Sequence, residues 1–317
     1  MFNPQKFIEE KILEIKKVIK DNAIIGVSGG VDSSTAAVLV NRAIGKSLKC
    51  ILVDTGYMRK NEIVFNEKML KDLGLNTLVI DAQGKFYKNL KGITEPEQKR
   101  KIIGETFIRV FEEEAKKEKA KYLIQGTIAP DWIESGGGLR DVIKSHHNVG
   151  GLPEKMDFQI IEPLRDLYKD EVRVLGEKLG LPKDVYERQP FPGPGLAIRI
   201  IGEATPARAK IVQEACAITE EEIEKASANG EMSKPWQYFA VLLSSKAVGV
   251  HGDVRAYQHI VVVRSVESLD GMSAAYSKIP HQVLEKISVR ITNTLKNDVS
   301  RVVFDITNKP PGTIEYE

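Results

Sequence analysis

The chain has 317 residues, 42% of them apolar and 28% charged, a balance that fits a soluble globular protein with room for two domains and a well-buried core. A formal net charge of only +2 gives no electrostatic ground for a nucleic-acid or membrane partner. Cys50 and Cys216 lie far apart in apolar surroundings and form neither a disulfide framework nor a metal-ligand spacing, which points to the reducing cytoplasm.

Met1 to Asn22 is charged and amphipathic, with Phe7, Ile8, Ile12, Ile15, Val18 and Ile19 at helical spacing, and does not have the form of a signal peptide. No apolar run approaches the roughly 20 residues a membrane-spanning helix needs. Short apolar runs then alternate with helical patterns. Strands are expected at Ala23–Val27, Leu48–Val53, Thr77–Ile80 and Tyr122–Gln125. Helices are expected at Ser33–Ala43, Glu62–Leu73 and Pro96–Lys119. This order predicts an α/β domain with a parallel sheet covered on both faces. Ligands of such sheets sit beyond the carboxyl ends of the strands, which gathers the loops beginning at Gly26, Asp54, Asp81 and Gly126 around one crevice.

Residues 128–153 break the pattern with Gly136-Gly137-Gly138 and Gly150-Gly151, and read as a lid or a disordered segment. The alternation resumes at Ile160-Ile161 and a helix over Lys169–Leu179. Gln189-Pro190-Phe191-Pro192-Gly193-Pro194-Gly195 forbids a helix or strand interior and marks a rigid turn or linker. Beyond it, helices are expected at Pro206–Ala228 and His281–Asn297. Strands are expected at Phe239–Leu243, Val248–Val250, Ile260–Val263, Val302–Ile306 and Thr313–Tyr316. The division is thus a first domain over 1–190 and a smaller C-terminal α+β domain over 191–317.

The chemistry concentrates where the first strand meets the first helix of the alternation, in Ser28-Gly29-Gly30-Val31-Asp32-Ser33-Ser34. Glycines let the backbone approach a ligand, successive N–H groups form an anion nest, and the helix start adds unpaired N–H groups and a positive dipole end. Ser28, Ser33 and Ser34 can donate to phosphate oxygens. Asp32, itself anionic, fits a role in holding Mg²⁺ against them. A plain turn with a capped helix is the competing reading, outweighed by the agreement of strand, helix and hydroxyls. Neither Gly-x₄-Gly-Lys-Ser/Thr nor Gly-x-Gly-x-x-Gly occurs, which argues against a Walker-type ATPase and a dinucleotide-binding fold.

Ser28–Ser34 resembles the signature loop of the ATP pyrophosphatase superfamily, whose members cleave ATP between the α and β phosphates. Further segments resemble GMP synthetases in order along the chain: Gly126–Ser135, Ile143–Pro153, Glu162–Asp166, Arg188–Leu196, Val248–Asp253 and Lys309–Glu317. The resemblance implies an adenine nucleotide α-hydrolase-like domain followed by a dimerisation domain. It implies synthesis of GMP from xanthosine monophosphate (XMP), ATP and ammonia through an adenyl-XMP intermediate. It covers only the synthetase portion, so ammonia is expected from a separate glutamine amidotransferase subunit, as in the two-subunit archaeal type, and a homodimer is expected.

By the same resemblance Ser28, Gly29, Gly30, Val31, Asp32, Ser33, Ser34, Val53 and Gly126 bind ATP and its pyrophosphate, with Mg²⁺ on Asp32. Asp131, Glu134, Lys144, His146 and His147 belong to the catalytic lid. Arg100, Pro194, Gly195, Gln237, Asp253, Lys309 and Glu315 contact XMP. The stretch Leu243-Ser244-Ser245-Lys246 departs from the proline-containing family pattern, and Tyr316 stands where a tryptophan is usual. NAD synthetase shares the loop but lacks the Pro190–Gly195 turn and the Lys309–Glu317 ending. A tRNA-sulfurating enzyme would need cysteines in active-site loops, and a non-catalytic nucleotide-sensing module would need no second substrate pocket.

Overall fold

The computed structural model describes residues 2–129, 159–251, 253–269 and 271–317. The chain divides into two compact units, one of Met1–Thr55, Asn61–Phe86 and Lys101–Arg188, the other of Gly56–Lys60, Tyr87–Arg100 and Gln189–Glu317.

The first unit is built on a parallel sheet. Its strands are β1 (Ala23–Gly26), β2 (Leu48–Asp54), β3 (Thr77–Asp81), β4 (Tyr122–Ile124) and β5 (Gln159–Ile161), in the order β3-β2-β1-β4-β5. Every pairing is parallel. The inner strands β1, β2 and β4 are largely apolar and buried because both faces are covered. Ala23 and Ile25 point into a core shared with α1 (Pro4–Val18), α2 (Val31–Ile44), α3 (Glu62–Asp72) and, after α4 (Gln83–Asn89) and α5 (Pro96–Lys117), with α6 (Lys169–Leu179). Gly26 faces the other way by the period-two rule, and Phe111 of α5 packs there, within 3.1 Å of where a Cβ would stand. Helix α2 is the axis of this core. Val31 and every residue from Ser34 to Val40 are buried, so its small side chains let α1 and α6 approach closely. The short helix α7 (Lys183–Tyr186) closes the unit.

From β1 the chain steps to β2 and β3 on one side, then returns to β4 and β5 on the other. The loops after β1 and β4 therefore diverge at a topological switch point, the usual seat of a ligand in this architecture.

The second unit carries the helices α8 (Pro206–Ala228) and α9 (His281–Thr294) and a mixed sheet. Strands β6 (Gln237–His251) and β7 (Val254–Glu267) form a long antiparallel hairpin. The two-residue β8 (Ala275–Tyr276) pairs antiparallel with β7, and β9 (Val299–Asp305) pairs parallel with it.

Three expectations need correction. The separate strands at Phe239–Leu243 and Val248–Val250 are one strand, β6, because a register irregularity between Leu242 and Lys246 absorbs the polar break without ending the ladder. Thr313–Tyr316 forms no strand; Pro310 and Pro311 precede it, and side chains rather than a ladder hold it in place. Helix α4 follows β3 where none was expected, its Gln83 N–H capped by Asp81 at 3.1 Å.

Candidate active site

The loop after β1 is open at the point where an anion would enter. Gly30 is the N-cap of α2 and supplies no side-chain cap, which leaves the first-turn N–H groups for a ligand. Gly29 has φ +81°, in the left-handed region. The hydroxyls of Ser28 and Ser33 lie 3.2 Å apart, and Gly30 N–H donates to Ser28 Oγ at 3.3 Å. Ser33 Oγ donates to the Gly30 carbonyl at 3.3 Å, so these hydroxyls brace the turn.

Asp32 and Ser34 are different. Asp32 Oδ1 and Ser34 Oγ are buried with no hydrogen-bond partner among the described residues. The other Asp32 oxygen is paired with Lys169 from the first turn of α6. The orphaned Asp32 oxygen beside an uncapped helix start fits a hydrated Mg²⁺, for which a single protein carboxylate suffices. Among the described residues no group of three or more His, Cys, Asp or Glu gathers to hold a metal by itself.

Gly126, just after β4, closes the other side of the switch point. A methyl there would stand 3.1 Å from Ser33 N and 3.2 Å from the Asp32 carbonyl carbon, so this glycine lets β4 lie against the first turn of α2. Val53 is buried near the end of β2 and pairs with Ile80, while the ladder between β1 and β2 stops at Ile51. Asp131, Glu134, Lys144, His146 and His147 lie outside the described residues.

In the second unit the structure brings Gln237 and Glu315 together. Gln237 Nε2 donates to Glu315 Oε1 at 2.9 Å and to the Pro190 carbonyl at 3.2 Å. The Glu315 carboxylate accepts from both Nε and Nη2 of Arg199, at 2.9 and 2.7 Å. Burial works against the Arg199 charge, but Glu315 outweighs it and holds the guanidinium protonated. Gly195, φ +67°, seats its backbone against Tyr57, whose carbonyl accepts from Leu196 N–H at 2.7 Å; Pro194 precedes it in the same turn. Arg100 donates to the Glu317 carbonyl, and fully buried Lys99 pairs with the Glu317 side chain. Burial pulls the Lys99 pKa below the ordinary lysine value, with Glu317 opposing. Lys309 Nζ donates to the Gly271 carbonyl at 2.7 Å.

Asp253 is not brought to this cluster within one chain. It is exposed at the β6–β7 tip, beside the His251–Val254 pair, whereas Gln237 pairs with Val266 at the other end of the hairpin. At ~3.3 Å per residue, β6 separates the two by roughly 45 Å. Burial raises the thiol pKa of Cys50 to about 12 and of Cys216 to about 11, which removes both as nucleophiles near neutral pH.

Sequence reasoning missed Lys169, Arg199 and Lys99. Arg199 carried a readable signal, a lone cation in the apolar run Leu196–Ile201. Lys169 and Lys99 sit among other charges and carried none.

A parallel sheet whose first strand runs into an uncapped, glycine- and hydroxyl-rich helix start at the switch point defines a nucleotide-phosphate-binding α/β protein. The family model described as NAD synthase matches residues 3–127, and that described as GMP synthase C terminal domain matches residues 221–316. The chain is 60% identical over 315 residues to a protein of Pyrococcus furiosus described as one subunit of glutamine-hydrolyzing GMP synthase, covering 99% of this chain and 97% of that one. It is 56% identical over 319 residues to the protein of the same description from Methanocaldococcus jannaschii, covering 100% of both. It is also 55% identical over 314 residues to the glutamine-hydrolyzing GMP synthase of Limosilactobacillus reuteri, covering 98% of this chain and 60% of that one. The chain belongs to the GMP synthase family, alongside the archaeal members that are described as one subunit of the enzyme.

Proposed function

We propose that this chain performs the synthetase half of GMP formation. The C2 oxygen of XMP attacks the α-phosphorus of ATP, the bond to the β-bridging oxygen breaks, and pyrophosphate leaves with that oxygen. Ammonia then bonds to C2, AMP departs with the former purine oxygen, and a proton is released. The observation that carries this reading is the orphaned oxygen Asp32 Oδ1 at an uncapped helix start.

The N–H groups of that start and the hydroxyls of Ser28, Ser33 and Ser34 stabilise charge on the departing pyrophosphate. Gripping β and γ leaves the α-phosphorus facing the nucleophile. Asp32 would hold Mg²⁺, which neutralises phosphate charge, and Lys169 adds a positive charge at the same place. Val53 and Gly126 line the adenine side. Asp131, Glu134, Lys144, His146 and His147 supply catalytic groups to the ATP step, a role carried over from the sequence resemblance.

XMP is bound by Arg100 together with Pro194, Gly195, Gln237, Lys309 and Glu315 of the 191–317 domain, and Asp253, at the far end of the β6–β7 hairpin, joins them only from a second copy of the chain. Glu315, fixed by Arg199 and Gln237, keeps one lone pair, on Oε2, for a purine N–H group. Ammonia comes from a separate amidotransferase subunit, a reading supported by the archaeal relatives being described as one subunit of a glutamine-hydrolyzing enzyme. The setting is cytoplasmic; no described helix is long and apolar enough to cross a membrane. A homodimer is supported by the exposed apolar side chains of the β6–β7 hairpin, among them Val248, Val250 and Tyr257.

Purified chain with ATP, Mg²⁺, ammonium and XMP is expected to yield GMP, AMP and pyrophosphate together. Asp32→Asn should lower kcat on the order of 10²–10³-fold, as loss of a preorganised charge-stabilising group does. The match of residues 3–127 to NAD synthase makes NAD synthesis the second reading. NAD formed from nicotinate adenine dinucleotide, with no GMP from XMP, would establish it instead.

A further inference from the structure

Beneath the phosphate loop lies a buried polar chain that the family motifs leave without a role. Asn66, fully buried on α3, donates its Nδ2–H to the Ser28 carbonyl at 3.3 Å and to Glu62 Oε1 at 3.2 Å. Glu62, one helical turn earlier, has a side chain only 2% exposed. It accepts from both terminal nitrogens of Arg188, each at 2.7 Å, in a two-pronged pair. Arg188 in turn lies over the Phe65 ring at 5.5 Å. A buried carboxylate held at both oxygens has one available pose, so the first turn of α3 presents Asn66 in one orientation.

That orientation decides which way the peptide between Ser28 and Gly29 points. In a trans peptide the carbonyl and the following N–H point in opposite directions. Tying the Ser28 carbonyl down to Asn66 therefore turns the Gly29 N–H away from α3. A flipped peptide would present a carbonyl oxygen to an incoming phosphate and repel it. Glycine at φ +81° is the residue best able to make that flip, and the Asn66 amide blocks it, filling the space over Gly29 to within 2.1 Å of a would-be Cβ. Asn66 Oδ1 is left with no partner among the described residues, a penalty an apolar residue of similar shape would not incur.

We propose that Arg188, Glu62 and Asn66 form a positioning relay that locks the Ser28–Gly29 peptide with its N–H toward the pyrophosphate end of ATP. The proposal rests on the reading of Ser28–Ser34 as a pyrophosphate loop. Its test uses the full chain, with ammonium as the nitrogen source, and measures inhibition by inorganic pyrophosphate, KM for ATP and for XMP, kcat and Tm.

In Asn66→Ala, the pyrophosphate inhibition constant and the ATP KM are expected to rise on the order of tenfold, with the XMP KM unchanged. Glu62→Gln and Arg188→Lys should move the same two constants in the same direction by less, and they carry the test should Asn66→Ala fail to fold. Pyrophosphate inhibition and ATP KM within twofold of wild type in these variants, whatever happens to Tm, would overturn the relay alone. A wild-type chain insensitive to pyrophosphate would overturn the loop reading itself, and the relay with it.

Discussion

Asp305 sits where three donors converge. The Tyr316 hydroxyl donates to it at 2.6 Å, the Thr307 N–H at 2.8 Å, and the Arg264 guanidinium lies at 3.3 Å. Burial alone would raise its pKa, but these donors together prevail and hold it below the ordinary carboxylate value. A carboxyl depressed in the folded state adds stability above its unfolded pKa of about 4, and that stability is lost as pH falls through the folded value. The stability difference between wild type and Asp305→Asn is therefore expected to be constant from about pH 5 to 7 and to shrink below about pH 4. Denaturant titrations at each pH measure it, and a difference that grew on acidification would contradict the donor arrangement.

At the scale of elements, the start of α2 is fixed from both sides of the switch point. Asn66 of α3 holds the loop before it, and Gly126 after β4 lies against its first turn. Gly126→Ala puts a methyl 3.1 Å from Ser33 N, so the turn must give by a few tenths of an ångström. Because small positioning errors already reduce catalysis, the expected result is an ATP KM several-fold higher with the XMP KM unchanged, read from steady-state kinetics. Most of this region was legible in the sequence. Gly29, Asp32 and Ser34 lie within one contiguous motif whose chemistry is local, and apolar runs such as Ala23–Gly26 betray a sheet buried on both faces. Asn66, Glu62 and Arg188 were not legible in those roles. Their contacts to the loop and to each other span 38, 4 and 126 residues, and nothing in the local composition marks a polar residue as buried. The polar break at Ser244-Ser245 misled for the opposite reason: a bulge tolerates locally what a regular ladder would not.

At the scale of the whole molecule, the β6–β7 hairpin carries apolar surface that the described residues leave uncovered. Val248 and Tyr257 face each other across the hairpin at 58% and 67% exposure, and Val250, two residues along the same face, is 66% exposed. Such a strip on a long hairpin favours a second copy of the chain, joined by a two-fold axis. Light scattering is expected to give twice the chain mass, and Tyr257→Lys to shift it toward the single-chain value. A monomeric wild type would remove this support for the homodimer.

The C-terminal segment is held by cations from distant parts of the second unit. Arg264 donates to the carbonyls of Thr307 and Thr313, Arg199 to Glu315 and Lys99 to Glu317, and the last two contacts close loops of 116 and 218 residues. Loops that long are entropically slow to close, and they return no contact energy until both ends have arrived. The tail consequently seats late, after the sites that bury those cations have formed. Its ion pairs then act mainly as a brake on unfolding, and the half-life of the native unit depends on them more than its rate of formation does.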